Sequence, residues 1–392
     1  MRFQSYFNTA VGVINAFKGD IPLAHYLKQY FAQHKKHGSK DRKYISHLCY
    51  CYYRLGHALK SISTEERLKI ALFLCNDVID EWAVLFNDDW LNNHSALLDE
   101  RIAFIKSLYP FDVLEIFPWQ TELSEGMDTY SFARSHLIQP DLFLRIRPGN
   151  KNIVSEKLKQ AHIGFKEVSN SCFALPNISK VDTLIGLNKE AVVQDYSSQN
   201  IQVFFDSIGA QHNSQAKLSV WDCCAASGGK SILAYDILQN IELTVSDIRP
   251  SIIHNLQQRF SEAGIKNYKS FIADLTDAKT LAGNQQYDVI ICDAPCTGSG
   301  TWSRTPEQLY FFSDDKMEQY AALQKKIVQT VVPHIKEHGY FLYITCSVFK
   351  KENEEMVAFI QQQYGFRLVQ KELLVGYDKK ADSMFGVLFG GS

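Results

Sequence analysis

From about Lys217 onward the sequence alternates short apolar runs with amphipathic ones, and few architectures accommodate that rhythm. The runs "LSVWD", "ELTVSDI", "YKSFIADL", "YDVIICD", "GYFLYITCS" and "MFGVLF" read as strands, being short, apolar and rich in β-branched or aromatic residues. Between them, "KSILAYDILQN" and "PSIIHNLQQRFSEAG" carry helical spacing, and the second closes at Gly264, where a left-handed cap suits glycine. "SDDKMEQYAALQKKIVQTVVPHI" adds a long helix with acids in its first turn, where they complement the helix dipole. Strands alternating with helices imply a mostly parallel sheet covered on both faces. In such sheets ligands bind at the carboxyl ends of the strands, near the point where the strand order reverses.

The texture upstream is different. Residues 1–130 show apolar spacing of three and four with almost no strict alternation, as in "DRKYISHLCYCYYRLGHAL" and "TEERLKIALFLCNDVIDEWAVLF", and predict a helical domain. Residues 131–190, centred on "PDLFLRIRPGNKNIVSEKLKQAHIGFKEVSNSCFALP", predict a small α+β module: a strand, a turn at Pro148-Gly149-Asn150, a helix, then further strands. Residues 191–392 then form the α/β domain. A length of 392 residues leaves room for all three, and a composition 46% hydrophobic and 21% charged is that of a folded chain.

Net charge, at −2, neither demands nor excludes nucleic acid. Its distribution says more: from His25 to Lys60 there are eight Lys or Arg residues and one acid, Asp41. Such a block is either a solvated helix face or a phosphate-binding patch. The nine cysteines are odd in number and contain no Cys-x-x-Cys pair, so they do not read as a disulfide framework. No secretory signal follows Met1, and no run of about 18 apolar residues suggests a membrane span. A cytoplasmic chain with free thiols is expected.

The stretch "DCCAASGGKS", Asp222 to Ser231, ends like a triphosphate-binding loop. That loop needs Gly-x-x-x-x-Gly-Lys-Ser/Thr, however, and Cys224 stands where the first glycine is required. Adjacent cysteines with no His or further Cys in the loop also make a poor metal clip, so no metal is expected and Cys223 reads as packing. What remains is a strand, a loop of small residues and a helix N-terminus, which together let a ligand approach the backbone and favour an anionic group. Asp247 ends the next strand, 17 residues beyond Lys230, where dinucleotide-type folds place the acid that accepts from a ribose. Asp274 ends a third strand, so successive strand ends form a rim of acids.

The fourth strand ends "ICDAPCTGSGTWSRTPE" and the fifth "LYITCSVFKKENEE". Asp293 leaves the sheet at the ligand edge, Pro295 stiffens the turn that aims Cys296, and Cys346 reaches the same edge from the neighbouring strand. Buried packing is the commonest fate of a free thiol and suffices for Cys49, Cys51, Cys75, Cys172 and Cys292. Cys296 and Cys346, at loop openings on the ligand edge, call for a chemical reason.

In these motifs the chain resembles the RsmB/Nop/Sun family of S-adenosylmethionine-dependent RNA cytosine-5 methyltransferases. "CAASGGK" is similar to the family's Cys-Ala-Ala-Pro-Gly-Gly-Lys loop, "DAPCTGSG" to its Asp-Ala-Pro-Cys motif, "TCSVFKKENE" to its Thr-Cys-Ser…Glu-Asn-Glu motif, and "VVQDYSSQ" to the segment before the catalytic fold. "PDLFLRIRPGN" resembles its small RNA-binding module, and "HGSKDRKYISHLCYCYYRLG" the NusB-like helical domain of the RsmB branch. The resemblance implies a Rossmann-like class I methyltransferase fold with a mostly parallel seven-stranded sheet. It implies S-adenosyl-L-methionine held by Cys224, Ala225, Ala226, Ser227, Gly228, Gly229, Lys230, Asp247, Asp274 and Asp293. Cys346 becomes the nucleophile toward carbon 6 of cytosine, Cys296 the group that assists release, and Asp293 the partner of the ring nitrogen. The implied partner is RNA, 16S ribosomal RNA in this branch, contacted by Arg304 and, through phosphates, by Arg145, Arg147 and the basic block. A monomer free of metal and membrane is expected.

Three departures stand out, one being the ending "ADSMFGVLFGGS", which resembles the family's final Asp-Gly-Phe-Phe strand only loosely. Ser227 replaces the family's usual Pro and is expected to loosen the loop, and Ser303 replaces a usual basic residue beside Arg304. The rival from another class is an RNA-binding assembly factor with little turnover, which the paired thiols and three acids disfavour. A methyltransferase for DNA or a protein side chain is a second rival, disfavoured by the cysteine arrangement and the upstream modules.

Overall fold

The computed structural model describes residues 2–212, 216–281 and 285–391. It divides into two compact units: residues 1–123, 127–139 and 301–313 form the first, and residues 124–126, 140–300 and 314–392 the second.

The first unit is helical, with helices Arg2–Ala16, Leu23–Gln33, Ser39–Arg54, Thr64–Cys75 and Leu98–Leu108 among its elements. Thr64–Cys75 starts where the Ser63 side chain accepts from the Glu66 amide at 3.2 Å, satisfying a donor the helix cannot satisfy itself. The sequence predicts that this helix runs on through "NDVIDEWAVLF". Instead it stops at Asn76, whose side-chain amide donates to the Leu72 carbonyl at 2.7 Å and caps the last turn. Asp80–Leu85 follows as a separate 3-10 helix. Two arginines serve as internal struts. Arg67 donates to the carbonyls of Tyr52, Gly56 and Ala58, and Arg54 to those of His136 and Ile138. Arg54 thereby leaves the basic block, whose Lys28, Lys35, Lys36, Lys40, Arg42 and Lys43 stay exposed. Residues 301–313 supply this unit with Trp302, packed on Phe117, Trp119 and Phe312.

The second unit holds two sheets. Strands β1 (Leu142–Ile146), β2 (Lys166–Ser169), β3 (Cys172–Leu175) and β4 (Ala191–Val193) form an antiparallel sheet in the order β2-β3-β1-β4. Helix Lys151–Gln160 lays Val154 and Leu158 against Leu144, Ile146 and Phe173. The larger sheet comprises β5 (Leu218–Asp222), β6 (Ile241–Asp247), β7 (Tyr268–Ile272), β8 (Tyr287–Asp293), β9 (Ile335–Thr345), β10 (Arg367–Leu374) and β11 (Met384–Gly390). Their order is β10-β11-β9-β8-β5-β6-β7, with β5 to β9 parallel and the β9–β11 and β11–β10 pairs antiparallel.

Alternation with period two builds both faces. Val220, Val289, Ile291 and Leu342 pack with Leu233, Leu256 and Phe260 on one side. Trp221, Ile290, Phe341 and Tyr343 pack with Ile327, Val331 and Ile360 on the other. The seven-stranded, mostly parallel sheet agrees with the expected fold class. One strand, β10, was not legible as an apolar run, because "RLVQKELL" lies at the sheet edge and carries the charges that edges use against further pairing. The chain starts mid-sheet at β5, runs outward to β7, then crosses to β8 on the other side of β5. The strand order therefore reverses between β5 and β8. No helix among the described residues is long and apolar enough to cross a membrane.

Candidate active site

At the carboxyl ends of β5 to β9 lies a cavity of about 520 Å³, lined by Cys224, Ala226, Asp247, Asp274, Asp293, Cys296 and Cys346 among others. This volume is in the range of small-ligand pockets. The loop after β5 is held tightly. The Ala225 amide donates to the Ser246 carbonyl at 2.9 Å, the Ala226 amide to Asp247 at 3.1 Å, and the Gly228 amide to the Ala225 carbonyl at 2.8 Å. Gly228 has φ +80°, and a Cβ there would lie 2.7 Å from the Phe260 ring, so any larger residue displaces the loop. Helix Gly229–Leu238 begins at once, its first amides directed toward the loop. Ser227, expected to loosen this segment, instead accepts two bonds from Arg259, through Oγ at 2.7 Å and its carbonyl at 2.8 Å. The missing ring of proline is replaced by a tether.

The three strand-end acids differ in their surroundings. Asp247 is nearly buried and accepts from the Arg249 guanidinium at 2.9 and 3.0 Å and from the Arg249 amide at 2.9 Å. Burial alone would raise its pKa, but the Arg249 hydrogen bonds and charge win and hold it below the ordinary carboxylate value. Asp274 is half-buried, and its carboxylate accepts from the Thr276 amide and hydroxyl. Asp293 forms an ion pair with Lys230. Burial pulls the Lys230 pKa down, yet the Asp293 charge and hydrogen bond outweigh it and keep the ammonium charged.

The two thiols singled out in the sequence meet. Cys296 Sγ and Cys346 Sγ are 3.2 Å apart, and both are half-buried. Parallel pairing of β8 with β9 sets Asp293 opposite Ile344, and the Ala294 amide donates to the Ile344 carbonyl at 2.9 Å. The chains beyond therefore leave the sheet side by side. The hydrogen bond with Cys346 and burial both push the Cys296 thiol above its ordinary pKa, which favours its neutral form.

A residue that sequence reasoning did not single out holds the thiols in place. Glu352 is completely buried, and its carboxylate accepts from the Thr297 amide at 2.9 Å, the Thr297 hydroxyl at 2.5 Å, the Ser347 hydroxyl, and Gln324 Nε2 at 2.9 Å. Thr297 follows Cys296 and Ser347 follows Cys346, so one carboxylate pins both loops. Burial raises the Glu352 pKa, opposed by these hydrogen bonds. Asn353 completes the clamp: it accepts from the Thr345 hydroxyl at 2.6 Å and donates to the Ser347 carbonyl at 3.0 Å. Gly300 closes it from the other side, since a Cβ would lie 2.0 Å from the Ser383 carbonyl oxygen. The signal in the sequence was the "KENEE" run itself, whose spacing from Cys346 places an acid just beyond the loop.

Two predicted contacts with RNA are corrected. Arg145 is buried and bonded to Asp236 at 2.7 Å and to Gln194 at 2.8 Å. Arg147 is bonded to Asp236 and to the carbonyls of Asn188 and Ala263. Both guanidiniums share one buried aspartate of helix Gly229–Leu238, and their remaining bonds run to groups of the protein, so they act as internal struts. Arg304 is half-buried in the 301–313 segment. The reading of Cys223 and Cys224 as lacking a partner also changes. Register pairs Asp222 with Ile291, which brings Cys292 beside them and places all three sulfurs within 4.8 Å of one another.

Residues 210–384 match the family model for the 16S rRNA methyltransferase RsmB/F. Among curated proteins, the chain is 28% identical over 257 residues to "Probable ribosomal RNA small subunit methyltransferase B" of Bacillus subtilis (strain 168), covering 62% of this chain and 56% of that one. It is 32% identical over 183 residues to ribosomal RNA small subunit methyltransferase B of Serratia proteamaculans (strain 568), covering 45% and 40%. The chain thus spans about half the length of these relatives. Of solved structures, that of PH0851 superposes with TM-score 0.70 at 19% identity over 98% of both chains. NSun6 from Pyrococcus horikoshii with SFG does so with TM-score 0.59 at 13% identity, over 70% of this chain and 96% of that one. Both share the fold. Residues 210–384, which carry these motifs and line most of the cavity, are thus similar to the 16S rRNA methyltransferases of the RsmB/F family.

Proposed function

We propose that the protein is an S-adenosylmethionine-dependent RNA cytosine-5 methyltransferase that modifies small-subunit ribosomal RNA in the cytoplasm. The observation that carries this reading is the Cys296–Cys346 thiol pair, opening with Asp293 into one cavity with the small-residue loop. The cavity suits the cofactor chemically. Carboxylates at Asp247 and Asp274 match hydroxyl and amine donors, and the helix N-terminus at Gly229 matches a carboxylate. Loop residues Cys224 to Lys230 and the acids Asp247, Asp274 and Asp293 would hold it. The neighbouring structure with SFG, an S-adenosylmethionine analogue, supports the same assignment. When bound, S-adenosylmethionine supplies an electrophilic methyl group.

Cytosine carbon 5 is a weak nucleophile. Addition of the Cys346 thiolate to carbon 6 turns the ring into an enamine whose carbon 5 attacks the methyl group. The ring nitrogen takes up a proton through Asp293 as the thiolate adds, and Lys230 balances the negative charge then left on the carboxylate. Afterwards the carbon 5 proton leaves to a base, the Cys346–carbon 6 bond breaks, and aromaticity returns; Cys296 assists this release. Attack above the ring requires an unstacked base, so the target is single-stranded or flipped out. Arg304 and the exposed lysines of the basic block are the proposed RNA contacts.

The test uses labelled S-adenosylmethionine and small-subunit ribosomal RNA. Cys346→Ala yields no 5-methylcytosine, whereas Cys296→Ala accumulates a protein–RNA adduct that survives denaturant. Robust methylation by Cys346→Ala would falsify the nucleophile assignment.

A further inference from the structure

We propose that Cys223, Cys224 and Cys292 form a binding site for one divalent d¹⁰ metal ion of the zinc class at the floor of the cavity. Three observations converge on it. The three sulfur atoms lie within 4.8 Å of one another, although Cys292 is 68 residues from Cys224 in sequence. Their positions are set by backbone: β5 and β8 pair in parallel, and the Cys223 amide donates to the Ile291 carbonyl at 3.0 Å, so the strand ends cannot separate. Burial is graded. Cys292 is fully enclosed, while buried Cys223 and half-buried Cys224 both line the cavity, which provides an entry path.

The geometry suits a thiolate-bound metal. With metal–sulfur bonds of about 2.3 Å, tetrahedral coordination needs sulfurs about 3.8 Å apart, so each side chain shifts by less than about 1 Å. The group is made of sulfur alone, and an all-thiolate set selects soft or borderline cations over magnesium or calcium. Charge chooses between the remaining classes. Three thiolates around a monovalent ion leave two negative charges in a buried site beside Asp293, while a divalent ion leaves one. Three protein ligands occupy three corners of the tetrahedron, and the fourth faces the cavity through Cys224. An ion there narrows the space next to the loop proposed to hold the cofactor. Occupancy and cofactor binding are therefore antagonistic.

The test is a titration of the reduced, full-length protein with Co(II), followed by displacement with Zn(II). One equivalent of Co(II) is expected to bind with a sulfur-to-metal charge-transfer band that Zn(II) abolishes. Cys292→Ser weakens binding at least tenfold, while the double variant Cys296→Ser/Cys346→Ser retains it. Since Cys292 is buried, Cys224→Ser serves as the second variant if Cys292→Ser has a collapsed melting transition, and the same tenfold loss is expected. Absence of the band in the unmodified protein overturns the site. So does its survival in Cys224→Ser, or its loss in Cys296→Ser/Cys346→Ser, which would place the ion on the catalytic thiols.

Discussion

Lys230 Nζ lies 2.6 Å from Asp293 Oδ2, an ion pair that joins the helix after the small-residue loop to the end of β8. Both side chains are mostly shielded from water, at 16% and 22% exposure, so the pair is screened less than a surface one. Lys230→Met leaves Asp293 without its counter-charge at the edge of the cavity where the proposed reaction takes place. Single-turnover methyl transfer is expected to slow by roughly 10²- to 10³-fold, the range for losing one electrostatic stabiliser. Cofactor affinity, read by equilibrium dialysis, should change by much less. Equal losses in rate and affinity would make Lys230 a cofactor contact alone.

Glu352 is the next test. Glu352→Ala leaves the Thr297 amide and two hydroxyls without their shared acceptor, costing about 2–4 kcal/mol of stability by the usual penalty for unpaired buried groups. Glu352→Gln keeps one oxygen for the Thr297 amide and lets the hydroxyls turn to accept, so most of the stability returns. The rate is expected to fall about tenfold in Glu352→Gln and over a hundredfold in Glu352→Ala, with cofactor affinity held in both. Equal rates in the two variants would show that only the volume of the side chain matters.

Asp236 is the shared ion-pair partner of two guanidiniums, so Asp236→Asn should cost about 3–5 kcal/mol in chemical denaturation, the range for breaking a buried pair. Arg145→Met separates structural from RNA-binding roles. It lowers the melting temperature but leaves the slope of log affinity for RNA against log salt unchanged. A phosphate contact would reduce that slope by about one charge.

His136 makes the helical unit sensitive to acid. It is fully buried, its Nδ1 donates to the Phe132 carbonyl at 3.0 Å, and burial pushes its pKa down to about 4. The unfolded chain, with a histidine pKa near about 6.5, takes up a proton that the folded one refuses. The stabilisation is therefore complete above about pH 6.5 and is lost as pH falls toward 4. Between pH 7.5 and 5.0 the protein should lose about 2 kcal/mol more than His136→Phe, measured from urea midpoints. Identical pH slopes in the two would count against this assignment.

Legibility in the sequence followed the range of the interactions involved. Six of the seven strands in the large sheet showed themselves as apolar runs because both faces of a covered sheet are dry. β10 did not, since this edge strand interrupts its apolar residues with Arg367, Gln370, Lys371 and Glu372. The thiol pair was legible because motifs at the ends of adjacent parallel strands must emerge together. Arg145 and Arg147 were misread because the aspartate that claims them lies about ninety residues on, in another element. Cys292 packs in the core as expected, but its approach to Cys223 and Cys224 was not legible, because only strand order brings them close. Asn76 ended a helix through a local side-chain bond that apolar spacing does not register.

The carboxylate shared by Thr297 and Ser347 makes the two thiol loops a single transplantable part. A chimera that exchanges only the β8 loop with a related protein sets a foreign residue at position 297 against Glu352, and one that exchanges only the β9 loop sets Thr297 against a foreign residue at position 352. Grafts that carry residues 293–300 together with 345–353 keep the set intact. Recombination breakpoints between relatives should therefore be tolerated outside this pair of segments and selected against between its two halves.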